Sequence, residues 1–334
     1  MRIGLSYDLR ESVPLDAGCS EDALEEYDCR ETVDIIAGAI EGNGHQVVRL
    51  GGGREFLDVV LQERVDLVFN ISEGRGNWRS REAQVPSVLE MLNIPYSGSD
   101  PECLAVCLDK PLTKKILAAS GVRTPRWLVV GRAGELRQAE MEDFPFPAFV
   151  KPAHEGSSKG VSAGSRVEDY LQLESLVDRL LDEYGQPVMI EEFISGDEVT
   201  VGILGSSPPA MLGVMRILPR IAEPYFVYSL EVKRDWEVLV DYECPAQLDP
   251  CVLGEIEQTS LKVFGLLGCR DFARLDYRLD AKGSPHFLEI NPLPGLGKYS
   301  DLVIMALKLG WSHAGVISAV LNAALERYPQ CVRT

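Results

Sequence analysis

The chain has 334 residues, of which 46% are hydrophobic, so it can bury a sizeable core in roughly two or three domains. Its formal net charge of −18 argues against broad binding to nucleic acid or to acidic membranes, because basic surfaces recruit proteins to both. The first residues lack the apolar core of a signal peptide, and no later apolar run has membrane-spanning length, so we expect a cytoplasmic protein.

The opening of the chain alternates strand-like and helix-like segments, which is typical of a three-layer α/β domain. We predict strands near residues 3–7, 46–50, 65–71 and 94–96, and helices near 31–41 and 83–92. A turn with a helix-capping pattern follows, and we place the first domain boundary near Gly98. The first predicted domain is therefore 1–98.

A central domain, 99–186, is predicted next. Its pattern indicates a helical stretch at 101–121, strands at 127–130 and 148–151, and an amphipathic helix within 167–181. The last domain, 187–334, would begin with a strand at 188–193 and contain a helix at 250–266, a hairpin across 269–291 and a terminal helix including 316–325.

A loop rich in glycine and serine, residues 156–160, follows a strand that ends at Lys151. Glycines let the backbone approach phosphate oxygens, serine hydroxyls donate hydrogen bonds, and Lys151 supplies positive charge. The loop is thus a candidate phosphate-binding loop, with a merely flexible loop as the alternative. The sequence contains neither a GxxxxGK[ST] motif nor the glycine fingerprint of a dinucleotide site.

The strand 188–194 and the acidic turn after it are a candidate adenosine site. The backbone of such a strand can pair with an adenine edge, apolar neighbours can sandwich the ring, and Glu198 can accept hydrogen bonds from ribose hydroxyls. A buried strand that ends in an exposed acidic turn is the alternative.

The segment 270–291 predicts a β-hairpin with a turn at 281–284. If Leu279 faces His286, then Asp276 lies opposite Glu289 and Arg274 lies opposite Asn291, all on one face. The positions expected to pack into the interior, and so to fix this register, are Ala273, Leu275, Tyr277, Leu288 and Ile290.

Two adjacent carboxylates repel each other unless a cation lies between them, so Asp276 and Glu289 predict a metal site. With the Asn291 oxygen they form a donor set that suits Mg²⁺ and leaves positions for nucleotide phosphates. Arg274 can stabilise charge on a transferring phosphoryl group. The alternative is a solvated hairpin face salt-bridged by Arg274 and Arg278.

The cysteines and histidines predict no zinc centre. Eight cysteines are spread along the chain, and Cys103 and Cys107 have the spacing of one helical face, so we expect reduced, mostly buried thiols. The four histidines form no zinc-binding motif.

Several segments then combine into a wider pattern, which spans residues 60–305. They are Val68-Phe69-Asn70, Ile94-Pro95-Tyr96-Ser97-Gly98, Asp109-Lys110 with Thr113-Lys114, Val150-Lys151-Pro152 with the loop 156–160, the stretch 191–198, Ala273-Arg274-Leu275-Asp276, and Leu288-Glu289-Ile290-Asn291-Pro292 with Pro294-Gly295. In order and spacing they resemble the D-alanine–D-alanine ligase branch of the ATP-grasp superfamily. The resemblance implies an α/β (α+β) chain with an ATP-grasp fold behind an N-terminal three-layer α/β domain.

The resemblance also implies an activity and its partners. Such an enzyme of peptidoglycan biosynthesis uses ATP and two Mg²⁺ ions, or Mn²⁺, to activate a carboxylate as an acyl phosphate. An amine then attacks the acyl phosphate to form a peptide bond. The implied partners are small amino-acid substrates, without nucleic acid or membrane, and a homodimer is compatible with the pattern.

The roles implied for individual residues cover the nucleotide, the metal and the reacting groups. Lys110, Lys151 and Lys233 would contact ATP phosphates together with Ser158 of the loop, Glu191, Glu192, Phe193 and Ile194 would frame adenine, and Glu198 would hold the ribose. Asp276, Glu289 and Asn291 would bind the metal ions, Arg274 and the Gly295 amide would form the oxyanion site, and Ser157 and Ser300 would orient substrates.

The chain departs from the family pattern on the substrate side. An acidic insertion replaces the glutamate motif near the N-terminus, with Glu25 as an approximate substitute. Arg234 follows the phosphate lysine where the family has tyrosine, and Leu296-Gly297-Lys298-Tyr299-Ser300 replaces a Met-Thr-x-His-Ser pattern. We expect ATP activation to be retained while the acceptor, or the donor as well, differs from D-alanine.

Three alternatives to D-alanyl-D-alanine synthesis stay open from the sequence. One is an ATP-grasp ligase with another amino acid or a peptide as acceptor. A non-catalytic ATP-binding regulator is a weaker alternative, because the complete metal face argues against it. A dinucleotide oxidoreductase is weaker still, because the glycine fingerprint is missing.

Overall fold

The computed structural model describes residues 1–14, 19–223 and 225–333. The predicted domains also include residues 15–18, 224 and 334, which lie outside the described residues. The strands are β1 Arg2–Ser6, β2 Gln46–Gly51, β3 Leu67–Asn70, β4 Trp127–Val130, β5 Ala148–Pro152, β6 Arg166–Val167, β7 Val188–Glu192, β8 Glu198–Leu204, β9 Ala210–Pro219, β10 Val240–Glu243, β11 Phe272–Leu279 and β12 Pro285–Asn291. The helices are α1 Arg30–Gly42, α2 Gly53–Val60, α3 Gln84–Met91, α4 Pro101–Leu108, α5 Lys110–Ala119, α6 Tyr170–Tyr184, α7 Leu230–Arg234, α8 Trp236–Leu239, α9 Pro250–Leu266, α10 Asp301–Lys308 and α11 His313–Arg327.

The N-terminal part contains a parallel sheet of order β2-β1-β3. Helix α1 packs beside it because Val33, Ile36, Ala37 and Ile40 recur on one helical face and are buried, as predicted. The predicted strand 94–96 is wrong in extent, since only Tyr96 forms a bridge, with Val68. Pro95 has no N–H to donate to a ladder and contributes only its carbonyl, which accepts from the Val68 N–H at 2.8 Å.

Two antiparallel sheets make up the rest of the strand content described. One has four strands in the order β4-β7-β5-β6, and the other has five in the order β10-β9-β8-β11-β12. Both sheets contribute side chains to one cleft: the first through β5 and β7, and the second through β8, β9, β11 and β12. The fold therefore places the candidate loop and the candidate metal hairpin on opposite sides of a shared space.

The predicted helical stretch 101–121 is two helices, α4 and α5, that meet at Asp109. Asp109 has a non-helical ψ of 84°, and its carboxylate accepts from the Leu112 N–H at 3.0 Å, so it caps α5. Pro111 in the first turn favours a helix start there. The break places Lys110 at the first position of α5.

The division into three domains stays a prediction, because helices from one predicted domain pack against strands of another. One core cluster joins β1, β3 and α1 to α10 and α11. Another joins α4 and α5 to β8 and β11. The three-stranded and five-stranded sheets each fall within one predicted domain, but the four-stranded sheet includes β7, Val188–Glu192, and so crosses the predicted boundary at 186. The two apolar cores likewise join residues of different predicted domains.

The hairpin of β11 and β12 has the predicted register where it matters most. Arg274 pairs with Asn291 and Asp276 with Glu289. The expected pairing of Leu279 with His286 is wrong, because a β-bulge after Asp276 shifts the register by one and Leu279 faces Pro285. Leu288 is the extra residue and lines the cleft instead of the interior predicted for it, while Phe287 is fully buried.

Of the eight cysteines, four are buried, one is half-buried and three are exposed. The expectation of mostly buried thiols therefore holds for half of them. The sulfur atoms of Cys103, Cys107 and Cys269 lie within 4.8 Å of one another, a contact between α4 and the segment before β11. The expectation that no zinc centre exists stays a prediction, because these three thiols are close enough to hold an ion.

No single helix among the described residues is long and apolar enough to cross a membrane. Helices α10 and α11 together meet the length and composition criteria as a pair bent by 111°.

Candidate active site

The residues predicted from the sequence all line two adjoining cavities. The first, of about 870 Å³ including space open to solvent, lies between the two antiparallel sheets. The second, of about 1920 Å³, opens toward the N-terminal part of the chain. Tyr228, Lys233 and Asp301 line both cavities, so the two form one continuous site.

The predicted nucleotide and metal residues concentrate in the first cavity and the predicted substrate residues in the second. The first is lined by Lys110, Lys151, Ser158, Glu191, Glu192, Phe193, Ile194, Glu198, Lys233, Asp276 and Glu289. The second is lined by Ser157, Arg274, Asn291, Gly295 and Ser300. Their proximity is a finding, while the role of each residue stays a prediction.

A buried ion cluster holds the lysines on the phosphate side of the first cavity. The Glu191 carboxylate contacts Lys114 Nζ at 2.6 Å and Lys151 Nζ at 2.9 Å, and its residue is 2% exposed. Burial disfavours the charged form of Lys151, but Glu191 and Glu289 outweigh it and raise the pKa of that amine. Lys151 thus stays positively charged in the cleft. The side chain of Glu191 holds the two lysines, so only its backbone is left for the predicted contact with adenine.

Lys110 and Lys151 approach the metal hairpin from the central part of the chain. Each amine lies 3.7 Å from Glu289 Oε2, and Lys110 Nζ also donates to the Glu155 carbonyl. Burial disfavours ionised Glu289, but Lys110, Lys151, Arg274 and Lys233 outweigh it and lower its pKa to about 2. Glu289 is therefore an anion at neutral pH.

The hairpin face is partly buried: Arg274 and Arg278 are buried, whereas Asp276, Glu289 and Asn291 are half-buried. Arg274, 8% exposed, donates to the Asp276 carboxylate at 2.9 and 3.2 Å and lies 3.5 Å from Asp301. Arg278 donates to the backbone carbonyls of Gly196 and Phe226 and comes only within 4.0 Å of Glu198. Arg274 thus salt-bridges the face, as the alternative expected, but the face is not fully solvated, and its role as a metal site stays a prediction.

Asp276, Glu289 and Asn291 fit a hard divalent cation. Their side chains project from paired positions of two strands, and each presents oxygen donors. Thr200 Oγ1 donates to Asp276, and Asn291 Oδ1 accepts from the Leu293 N–H at 3.0 Å, so both groups are oriented by neighbours. A cation would relieve the repulsion that the register imposes on the two carboxylates.

The candidate adenosine end of the cleft combines apolar side chains with one acid. Phe149, Phe193, Ile194 and Leu288 line it. The Arg278 guanidinium lies 4.6 Å from the Phe193 ring centre, which fixes that ring. Burial raises the pKa of Glu198 to about 7, against the opposing charge of Arg278.

The Gly/Ser loop and the segment carrying α7 border the second cavity. Ser157 and Ser158 have left-handed backbone angles, φ 49° and 59°, which non-glycine residues adopt mostly where surrounding structure imposes them. Arg234 of α7 donates to Glu25, which also lies 3.8 Å from Arg10. Ser300 donates to the Gly297 carbonyl at 2.8 Å just before α10 begins.

Sequence reasoning missed three groups that line this site, Tyr228, Asp301 and Lys159, and a fourth, Arg81, that bonds two of its lining acids, Glu26 and Glu155. Tyr228 donates to Asp301 at 2.9 Å, and Asp301 faces Arg274, so the pair supports that arginine. Lys159 lay inside the loop singled out for phosphate binding, and its position was a usable signal. Arg81, 1% exposed, had no local signal at all.

Comparison with known proteins gives consistent matches. The family model described as D-ala D-ala ligase C-terminus matches residues 116–322. The D-alanine–D-alanine ligase of Aquifex aeolicus is 33% identical over 297 residues, which cover 87% of this chain and 94% of that protein. An uncharacterized protein, y4sG of Sinorhizobium fredii, is 32% identical over 305 residues and 88% of each chain.

Solved structures share the fold. The Bacillus anthracis D-alanine–D-alanine ligase complexed with ATP superposes with a TM-score of 0.74 at 23% identity over 99% of each chain. The VanG D-Ala:D-Ser ligase of Enterococcus faecalis gives 0.72 at 20% identity over 97% of this chain and 99% of that chain. The expected ATP-grasp fold is confirmed, and the family match and sequence identities together show that this chain belongs to the D-alanine–D-alanine ligase family of ATP-grasp ligases.

Proposed function

We propose that the protein is an ATP-dependent carboxylate–amine ligase that forms a peptide bond through an acyl phosphate. The observation that carries this proposal is the meeting of an oxygen-donor face with positive charge in one cleft. Asp276 and Glu289 are paired across the hairpin, and Lys110, Lys151 and Arg274 converge on them. Phosphoryl transfer needs this combination of held cations and positive side chains.

ATP would occupy the first cavity, with adenine near Phe193 and its phosphates near the lysines and Ser158. Asp276, Glu289 and Asn291 are the residues that would hold two Mg²⁺ ions, or Mn²⁺ in their place. The ions, when bound, neutralise phosphate charge and polarise the transferring group. Lys110, Lys151 and Lys233 then provide the positive charge that an acidic protein otherwise lacks.

The proposed reaction has two attacks. The substrate carboxylate attacks the γ-phosphorus of ATP and displaces ADP, which gives the acyl phosphate. The deprotonated amine of the second substrate then attacks the acyl carbon and displaces inorganic phosphate. Negative charge develops on phosphoryl oxygens and then on the tetrahedral carbon's oxygen, where Arg274 and the Gly295 amide are proposed to stabilise it. Ser157 and Ser300 border the same cavity and are proposed to orient the substrates.

A different acceptor is the second candidate, and one observation favours it. Arg234 and Glu25 form an ion pair at the wall of the second cavity, where the family pattern has a tyrosine. We propose that this wall decides which amine is accepted.

The experiment is a panel of D- and L-amino acids and dipeptides, each offered alone and in pairs with ATP and Mg²⁺. We expect ADP release that depends on the substrate pair, and a condensation product by mass. ATP binding without substrate-dependent ADP release would instead support a non-catalytic regulator. A cytoplasmic location and a homodimer complete the proposal, and fractionation and light scattering test them.

A further inference from the structure

The described part of the N-terminal acidic insertion, residues 19–28, contacts the central and C-terminal parts of the chain as well as the N-terminal part. We call this segment the acidic strap. Its C-terminal end is anchored beside β1, because the Asp28 N–H donates to the Asp8 carbonyl and the Arg10 N–H donates to the Asp28 carbonyl, both at 3.0 Å. From this anchor the strap reaches groups that lie more than a hundred residues away in sequence.

Asp22 contacts the C-terminal end of the phosphate loop. Its Oδ2 accepts from the Gly160 N–H and from the Tyr184 hydroxyl, both at 2.7 Å, and the residue is 8% exposed. Gly160 has a φ of 71°, and a Cβ there would lie 2.5 Å from Pro152. The C-terminal end of the loop thus packs closely against Pro152, and the Asp22 carboxylate of the strap accepts the hydrogen bond of its Gly160 amide.

Glu26 makes the second connection through a buried, charge-balanced cluster of two acids and two bases. It accepts from Arg81 at 2.6 and 3.1 Å and from Lys159 at 3.4 Å. Glu155 completes the cluster, 2.6 Å from Lys159 and 3.1 Å from Arg81. Burial disfavours ionised Glu155, but Arg81 and Lys159 outweigh it and lower its pKa. Lys159 is therefore held by carboxylates rather than aimed at a ligand.

The third connection is the ion pair of Glu25 with Arg234, next to Lys233. The strap thus contacts the phosphate loop twice and the α7 segment once. These contacts join the N-terminal part of the chain to the two elements that enclose the site. Buried charge pairs with several hydrogen bonds fix geometry more than they add stability.

We infer that Asp22 and Glu26 are positioning residues that hold the loop 156–160 against the nucleotide phosphates. This inference rests on the proposed function, and it adds a role for an insertion that the family pattern lacks. Asp22 bonds the end of the loop, and Glu26, which also lines the second cavity, bonds Lys159 within the loop. Both act through the loop, so their loss should loosen the loop and weaken nucleotide binding before it slows the chemistry.

The first test does not require activity. Hydrogen exchange of the peptide covering 156–161 is compared between the wild-type protein, Asp22→Ala and Glu21→Ala. Glu21 is an exposed acid of the same strap and serves as the matched control. We expect about tenfold faster exchange in Asp22→Ala only, since a charge-assisted hydrogen bond to the Gly160 amide is lost. Unchanged exchange in Asp22→Ala, with the global unfolding temperature retained, overturns the inference.

The second test separates positioning from folding. In Asp22→Ala and Glu26→Gln we expect the KM for ATP to rise about tenfold with kcat within about threefold of wild type. Asp22→Asn keeps one acceptor oxygen and should restore most of the affinity. A fall in kcat at unchanged KM, as a reduced folded fraction would give, overturns the inference. If the wild-type protein itself releases no ADP with any substrate, the proposed function fails, while the exchange result still decides the loop contact.

Discussion

The nucleotide half and the substrate half of the site differ in how their charges are arranged. In the first cavity, carboxylates and lysines alternate within a few ångströms, and Glu191 and Glu289 each contact two lysines. In the second, the distinctive contact is one half-exposed arginine, Arg234, on one acid, Glu25. The first arrangement binds a polyanion with metal, whereas the second leaves room for different small substrates.

The difference extends to what each half inherits. Motif residues that resemble the family pattern line both cavities, but only the second is also bordered by the acidic strap and by Arg234, where the sequence predicts a departure from that pattern. A chain can therefore keep one phosphate-activating chemistry and change its acceptor through a few border residues. Four variants test that contrast.

The largest effect is expected for Glu289→Gln. Loss of one carboxylate from the metal face should lower substrate-dependent ADP release on the order of a hundredfold or more. The fold should remain, because glutamine keeps the size and the strand pairing. Rates and thermal unfolding are measured beside Glu257→Gln, an exposed acid on α9. Turnover equal to wild type would remove Glu289 from the metal site and weaken the contrast.

A second variant, Glu191→Gln, tests the buried ion cluster through stability. Its neutralisation leaves Lys114 and Lys151 buried with less compensating charge, so the free energy of unfolding should fall by about 3 kcal/mol. Glu192→Gln, the next residue on β7 and partly exposed, should change it by less than about 0.5 kcal/mol. Urea unfolding measures both. If both substitutions changed the free energy of unfolding equally, the ion pairs of Glu191 with Lys114 and Lys151 would not stabilise the fold.

The sequence predicted the hairpin well because its signal is local. Alternating polar and apolar residues within 270–291 determine the two pairs Arg274–Asn291 and Asp276–Glu289. The bulge escaped prediction because Leu288 is apolar and suits either the interior or the adenosine end of the cleft. Only the position of the opposite lobe shows which side it takes.

The acidic strap was unpredictable for the opposite reason. Its contacts join Asp22 to Gly160 and Glu26 to Arg81, and no periodic pattern links positions so far apart. A charged residue such as Arg81 is usually exposed, and its near-complete burial follows only from the carboxylates that surround it. Likewise, nothing in the sequence of α4 and α5 indicated that these helices pack on β8 and β11 of the five-stranded sheet.

A smaller effect is expected from the pH dependence of Glu198. Burial raises its folded pKa to about 7, above the ordinary value near 4.5, so the folded state holds this proton more tightly than the unfolded state. Its contribution to stability is complete below about pH 4.5 and is lost as pH rises through 7. Glu198→Gln should therefore show a smaller decline in unfolding free energy between these pH values than wild type. Parallel curves would show that the acid titrates normally.

The smallest but most specific change is expected for Arg234→Tyr, which restores the family residue at the border of the substrate cavity. The substitution removes the positive partner of Glu25 and leaves that carboxylate near Arg10 alone, 3.8 Å away. We expect the ratio of kcat/KM between two acceptor amines to change about tenfold, with the KM for ATP within about twofold of wild type. Arg234→Lys keeps the charge and should retain the wild-type preference. If wild type and both variants had the same acceptor profile, residues other than Arg234 would determine acceptor specificity. The difference between the nucleotide half and the substrate half would then not depend on Arg234.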